Sequence, residues 1–170
     1  AIKEKIGRFS HTSNYFLDED AISLSQMLLN MSCGEGEVFF TNSGTEATEA
    51  AIKAIRKLRR GKLVSFEGNF HGRTMGALSL THSPKLRTPF EPLLPDSIFL
   101  PLSGRVFEEF ARNNEIAGVF VEPVQGNSGV HPLPEELIEV ISSMKEKYGF
   151  LIVADEIQSG LCRTGDFFAY

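Results

Sequence analysis

Apolar and polar positions along this chain switch repeatedly between a helical and an extended rhythm. Over residues 20–31 the apolar residues Ile22, Leu24, Met27, Leu28 and Met31 recur at helical spacing, which predicts an amphipathic helix. The short apolar run Val38-Phe39-Phe40 predicts a buried strand. A helix is expected over 44–60, with Ala47, Ala51, Ala54, Ile55 and Leu58 as its apolar stripe and Glu49 four residues before Lys53. Residues 63–66, 97–100, 117–121 and 150–154 read as strands, 106–113 and 135–148 as helices, and 76–80 as a further short element. Pro134 suits the first turn of the 135–148 helix. Pro84, Pro89, Pro92 and Pro95 predict a surface excursion over 84–95.

The strand candidates are continuously apolar rather than alternating, which is the pattern of strands covered on both faces. Their alternation with helices predicts an α/β sandwich around a mostly parallel sheet. In such sheets ligands bind beyond the carboxyl ends of the strands, so the residues that follow each strand carry most weight.

Composition narrows the classes without naming one. The chain has 170 residues, 42% hydrophobic and 23% charged, ordinary values for a globular domain with a sizeable core. Its formal net charge of -5 argues against non-specific nucleic-acid binding. No apolar run approaches the roughly 20 residues that span a bilayer. The first residues lack the apolar stretch of a signal peptide. Two cysteines, Cys33 and Cys162, are too few for a disulfide scaffold, and the expected setting is reducing and cytoplasmic. Without an initiator Met, the chain is expected to be a fragment of a longer protein.

Four segments next to predicted strands carry chemistry. In Thr41-Asn42-Ser43-Gly44-Thr45-Glu46-Ala47 a glycine opens a helix, where free N–H groups and the helix dipole favour a phosphate. The alternative is that Ser43 or Thr45 simply caps the helix. In Gly68-Asn69-Phe70-His71-Gly72-Arg73-Thr74, Phe70 offers a flat face to a planar ligand and Arg73 a bidentate fork to a carboxylate. The alternatives are a core Phe and a surface Arg; His71 reads as structural, with no second His or Cys at metal-ligand spacing. Glu122 closes a buried strand and either supports the site or holds the loop that follows. Asp155 follows four apolar residues, so its carboxylate is expected deep in the crevice, where it needs a partner. A cationic ring nitrogen would meet that need, as in pyridoxal phosphate; a capping or salt-bridged Asp is the alternative.

Taken together, Ser43-Gly44-Thr45-Glu46-Ala47, Phe70-His71-Gly72-Arg73, Val121-Glu122-Pro123-Val124-Gln125-Gly126 and Asp155-Glu156-Ile157-Gln158 resemble the class-III (ω-) aminotransferases. These are pyridoxal 5'-phosphate enzymes of fold type I, and the order and spacing of the motifs match them along essentially the whole chain. Within the class the chain is most similar to acetylornithine aminotransferases, through His11-Thr12-Ser13-Asn14-Tyr15-Phe16, the Phe70 segment with Pro89-Phe90-Glu91-Pro92-Leu93 after it, and Arg163-Thr164-Gly165.

The resemblance implies an αβα sandwich, of which residues 1–170 would be the central part of the cofactor-binding large domain. It implies that Gly44 and Thr45 hold the cofactor phosphate and that Phe70 and Ile157 cover the two ring faces. Asp155 would pair with the ring nitrogen, Gln158 would reach the ring hydroxyl and Arg73 would receive the substrate carboxylate. The implied reaction moves an amino group from N-acetylornithine to 2-oxoglutarate, in arginine biosynthesis, in a cytoplasmic homodimer with small-molecule substrates. No metal, nucleic acid or membrane is implied.

Two departures stand out. The family usually carries Glu after Gln-Gly, where it helps an arginine choose between substrate carboxylates; the uncharged Asn127 stands here instead. The family's Schiff-base lysine lies some tens of residues beyond the Asp155 motif and is expected beyond Tyr170. The 170 residues alone are therefore expected to be inactive. Rival readings are another class-III aminotransferase (for 4-aminobutyrate, ornithine or a polyamine), a semialdehyde aminomutase, or a non-catalytic relative.

Overall fold

The computed structural model describes residues 1–9, 11, 13, 15–32 and 34–170. Cys33 and part of the 11–16 stretch used above lie outside the described residues. The chain divides into two units, Ala1–Phe40 and Thr41–Tyr170.

The first unit holds two helices. α1 (Ile2–Arg8) was not foreseen from the apolar pattern, and α2 (Glu19–Met31) matches the 20–31 expectation. Asp18 caps α2 by accepting from Asp20 N at 3.0 Å, and Lys5 of α1 reaches the same carboxylate at 2.8 Å. The predicted strand at Val38-Phe39-Phe40 is not formed, and Phe39 is 73% exposed. A strand needs a ladder partner, and among the described residues no other extended segment of this unit offers one.

The second unit is built on four parallel strands, β1 (Lys62–Phe66), β2 (Ser97–Leu100), β3 (Ile116–Val121) and the later strand Leu151–Ala154, with the Leu151–Ala154 strand beside β3 and β2 beside β1. Between β3 and that last strand lie the small antiparallel ladder of β4 (Val124–Gln125) and β5 (His131–Pro132), so the last strand is β6. Side chains alternate across the sheet into two cores. Val64, Phe66, Val119 and Val121 pack with α6 (Gly104–Asn113) and α7 (Glu135–Tyr148) through Phe107, Leu137 and Ile141. Leu63, Ala117 and Phe120 pack on the opposite face against Ile52 and Ile55 of α3 (Gly44–Leu58). Helices therefore cover both faces, and the αβα sandwich with a parallel sheet is present. The remaining elements are α4 (Met75–Ser79) and α5 (Pro84–Arg87), followed by a 3₁₀ turn at Thr88–Phe90. The proline-rich excursion is thus two short turns rather than open loop.

Three expectations need correction. The buried stripe of α3 is Thr48, Ile52 and Ile55, whereas Ala47, Ala54 and Leu58 face out. The two isoleucines bury more area than alanines, and the Thr48 hydroxyl donates to the carbonyls of Gly44 at 3.1 Å and His71 at 2.9 Å, which turns that face inward. The helix also stops at Leu58 rather than at residue 60, because Arg59 is already extended and the chain turns through Gly61 into β1. Finally, β3 is buried along its length but β6 alternates, with Ile152 and Ala154 exposed. β6 lies at the edge of the four-stranded sheet, where fewer neighbours cover its side chains.

β2 follows β1 on one side of the sheet, while β3 and β6 lie on the other. The strand order therefore reverses between β1 and β3, which opens a crevice at their carboxyl ends. The register places Val121 opposite Ala154, and Asp155 N donates to Val121 O at 2.7 Å. Glu122 and Asp155 are thereby delivered side by side to the mouth of that crevice.

Candidate active site

A cleft of about 760 Å³ occupies this place. All seven residues singled out from the sequence line it: Gly44, Thr45, Phe70, Arg73, Asp155, Ile157 and Gln158. They come from four separate segments that only the sheet brings together.

At one end stands the start of α3. Ser43 occupies the N-cap position but makes no side-chain cap bond, so the simple capping alternative does not hold for it. The Thr45 hydroxyl pairs instead with the Thr74 hydroxyl at 2.9 Å. Glu46 reaches back to accept from Asn42 N at 2.7 Å. The Ile157 side chain occupies the space that a Cβ at Gly44 would need, so only glycine lets the helix start approach Ile157 this closely. Among the described residues no side chain accepts from the first N–H groups of α3, at the edge of the cleft, an arrangement suited to an anion.

The loop after β1 supplies Phe70 and His71. Glu122, 3% exposed, accepts from Phe70 N at 2.7 Å. Its carboxyl is raised above the usual carboxylate range, chiefly by burial; backbone N–H bonds from Phe70 and Gly126 act the other way. Of the two roles open to Glu122, the geometry carries the first: it supports the Phe70 wall. His71 is buried, and its Nδ1 lies 2.7 Å from Asp155 Oδ2. The other oxygen, Oδ1, accepts from Ile157 N at 3.2 Å.

The Asp155 side chain is 8% exposed, and among the described residues no Lys or Arg pairs with it. The carboxylate lies deep in the crevice as the sequence predicts, and it carries features of the capping or salt-bridged alternative, the His71 imidazole and the Ile157 N–H; with no Lys or Arg on it among the described residues, it still suits a cationic atom of a bound ligand. The contact with His71 was not foreseen; only the position of His71 in a glycine-flanked loop hinted at it.

Arg73 is exposed and makes no ion pair among the described residues, so its fork is available at the rim. Gln158 donates from Nε2 to Asn127 Oδ1 at 3.3 Å, and its amide packs over Gly126. Sequence reasoning also missed Leu78, Leu86 and Phe90, which add apolar lining, and Glu49. Glu49 accepts from the Thr74 hydroxyl at 2.5 Å and from Gly76 N and Ala77 N at 2.8 and 3.2 Å, so it caps α4 rather than supporting its own helix through Lys53. None of the eight lysines lines the cleft. Lys145 and Lys147 lie in the last turn of α7, which leads into the start of β6, at the sheet edge opposite Asp155.

These residues fit pyridoxal 5'-phosphate. An uncapped helix start, a half-buried aromatic ring and a nearly buried carboxylate without a basic side-chain partner lie around one cleft of suitable size.

A family model for aminotransferase class-III matches residues 1–170. Among curated proteins, the acetylornithine aminotransferase of Archaeoglobus fulgidus is 44% identical over 169 residues, covering 99% of this chain and 45% of that protein. The acetylornithine aminotransferase of Methanopyrus kandleri is 43% identical over 172 residues, covering 100% and 44%. The chain thus spans less than half the length of these relatives. Among solved structures, ornithine aminotransferase from Toxoplasma gondii superposes with a TM-score of 0.88 at 28% identity, covering 99% of this chain and 42% of that one. Taurine:2-oxoglutarate aminotransferase from Bifidobacterium kashiwanohense, in complex with PLP and glutamate, gives a TM-score of 0.88 at 26% identity, covering 99% and 44%.

Proposed function

Because the chain belongs to the class-III aminotransferases, we propose that it is the central part of the cofactor-binding large domain of a pyridoxal-phosphate aminotransferase that takes its amino group from N-acetylornithine and gives it to 2-oxoglutarate. The observation that carries the reading is Asp155: a carboxylate 8% exposed, at the carboxyl end of β6, held by one imidazole and one backbone N–H and without a Lys or Arg partner among the described residues. The substrate assignment is supported by the names of the curated relatives.

When bound, pyridoxal 5'-phosphate supplies an electron sink for the substrate Cα, and a protonated ring nitrogen makes that sink effective. In this reading Asp155 holds the proton on that nitrogen, and Gly44 and Thr45 hold the phosphate through the start of α3. Phe70, braced through its own N–H by Glu122, covers one ring face; Ile157, seated against Gly44, covers the other. Gln158 reaches the ring hydroxyl, with its amide oriented by Asn127. Arg73 takes the substrate carboxylate at the rim, where a planar fork binds it bidentately. The amine that links the cofactor belongs to a residue outside Ala1–Tyr170, in keeping with a cleft that no lysine of this chain lines. The working protein is proposed to be a cytoplasmic homodimer.

The test is Asp155→Ala in the full-length protein. We expect turnover of N-acetylornithine with 2-oxoglutarate to fall by roughly three orders of magnitude or more, from the loss of a charge that acts on the reacting system. Activity within about threefold of wild type, a difference below 1 kcal/mol, would refute the assignment. Turnover of 4-aminobutyrate or ornithine in preference to N-acetylornithine would keep the chemistry and replace the substrate.

A further inference from the structure

Beneath the cleft runs a buried chain of side-chain amides whose direction is set by backbone carbonyls. Gln125, 2% exposed, donates from Nε2 to Glu67 O and to Asn69 Oδ1, both at 2.8 Å, while its Oε1 accepts from Ser128 Oγ at 2.9 Å. A backbone carbonyl only accepts, so the Gln125 amide has one satisfactory orientation. That orientation turns the Asn69 oxygen toward Gln125 and the Asn69 Nδ2 group the other way. Asn69 Nδ2, also 2% exposed as a residue, lies 3.2 Å from Phe120 O, a second carbonyl that only accepts, and 3.1 Å from His71 Nε2. Its remaining neighbour, Ser65 Oγ at 3.3 Å, gives its own proton to Leu80 O at 2.8 Å.

An amide NH₂ accepts no hydrogen bond. A proton on His71 Nε2 would point at another donor, so Nε2 carries the lone pair and the ring proton sits on Nδ1. We propose that the Gln125–Asn69 amide pair holds His71 as the neutral ring protonated on Nδ1, making all three positioning residues for Asp155. The imidazole then turns Asp155 by donating one hydrogen bond at 2.7 Å and brings no positive charge of its own. The charge of Asp155 stays available for a cationic atom in the cleft. This inference rests on the assignment of Asp155 to the cofactor ring nitrogen. It adds to that assignment the groups that keep the carboxylate both oriented and charged.

The test uses the full-length protein labelled with ¹⁵N-histidine and freed of cofactor. In the wild type, His71 is expected to show a pyridine-type ¹⁵N resonance for Nε2 and a pyrrole-type resonance for Nδ1. The reverse pattern, or two pyrrole-type resonances, overturns the proposal. In Asn69→Asp an oxygen faces Nε2, so the ring is expected to take a second proton and show two pyrrole-type resonances. Pyridoxal phosphate is then expected to bind roughly tenfold or more weakly, since Asp155 is already neutralised. A folded Asn69→Asp protein with unaltered ¹⁵N signals, or with unaltered cofactor affinity, overturns it too.

Should that variant fail to fold, Asn69→Ala removes the donor without adding charge. Asp155 still accepts from Nδ1–H, so the freed Nε2 is expected to take up a proton and lose its pyridine-type resonance, and an undisturbed pyridine-type Nε2 signal counts against the proposal. Asp155→Asn separates this inference from the reading beneath it. If Asp155→Asn weakens the cofactor and Asn69→Asp does not, the amide argument fails and the Asp155 assignment stands. If Asp155→Asn binds the cofactor as tightly as wild type, the assignment fails and the role drawn for its charge falls with it.

Discussion

Residues 68–82 and residues 155–170 form two walls of one cleft, but they are held very differently. In the first wall the turning points are held by side-chain hydrogen bonds, from within the wall, from α3 and from the end of β3. Glu122 holds Phe70 N, Thr81 holds His71 N, Thr48 holds His71 O and Glu49 holds the start of α4. In the second, Ile157 is 60% exposed, Leu161 and Cys162 take positive φ of 55° and 64°, and residues 161–166 are all exposed. Its return is tied largely by Glu156, which accepts from Ala169 N at 2.9 Å and Tyr170 N at 3.0 Å. The groups proposed to set ring position and charge, Phe70 and Asp155, lean on the packed wall. The groups proposed to touch the ring's second face and hydroxyl, Ile157 and Gln158, sit on the open one. Positioning is strongest where neighbouring packing and hydrogen bonds lock the side chain, and local opening is easiest where they are few.

The largest expected effect comes from breaking the packed wall at its tightest point. Gly72 has φ 130°, and a Cβ there would run into the Thr45 side chain and Ala77. Gly72→Ala combines a disfavoured backbone with a clash and is expected to cost about 3 kcal/mol in urea denaturation. A loss under about 1 kcal/mol would show that this wall is more pliant than its contacts imply.

Glu122 comes next. Glu122→Ala leaves the Phe70 N–H without its acceptor and is expected to cost about 1–3 kcal/mol. Glu122→Gln keeps an acceptor and loses the charge, so it sharpens the comparison through pH. The folded carboxyl is raised above its ordinary value of 4.5, so its contribution to stability is present below that value and lost as pH rises through the folded value. Stability of Glu122→Gln relative to wild type should therefore climb as pH rises from 4.5 toward neutrality. A flat difference across that range would contradict the cause given for the shift.

On the open wall, Glu156→Ala is expected to cost only about 1 kcal/mol, because water can replace the lost acceptor. Its signature should be local: faster amide hydrogen exchange over 157–170 and none over 68–82. Faster exchange in both would mean that the walls unfold as one unit. The smallest stability effect is expected from exposed Arg73. Arg73→Lys should stay within about 0.5 kcal/mol of wild type while raising the KM for N-acetylornithine, since the charge survives and the fork does not. An unchanged KM would move the carboxylate site elsewhere.

Much of the scaffold was legible in local pattern. The α7 boundaries matched the 135–148 periodicity, and β1, β2 and β3 were found to within one residue, because each is a run whose burial follows from its own apolar residues. The reading failed where an element depends on what lies next to it. Val38-Phe39-Phe40 is apolar enough for a strand but has no ladder partner among the described residues of its own unit. The face of α3 turned by one residue because Thr48 found a carbonyl on a loop more than twenty positions away.

The same division runs through the site. The sequence by itself determined which residue types open a helix or follow a strand: a glycine at the start of α3, an aromatic ring after β1, and carboxylates after the apolar runs of β3 and β6. Phe70, Arg73 and Asp155 line the cleft because they lie just beyond the ends of β1 and β6, which the apolar runs located; Gly44 and Thr45 line it from a helix start, and Ile157 and Gln158, singled out through the family resemblance, line it beside Asp155. What only the tertiary structure decided is how those groups act on one another. His71 and Asp155 meet across 84 positions of sequence, Asn69 and Gln125 across 56, and Phe70 and Glu122 across 52. Each of these contacts depends on the register among β1, β3 and β6 and on loops folding back over the strand ends. Local periodicity carries no information about register between strands so far apart, and hydrogen-bond direction within a buried network is fixed only once every neighbouring donor and acceptor is in place.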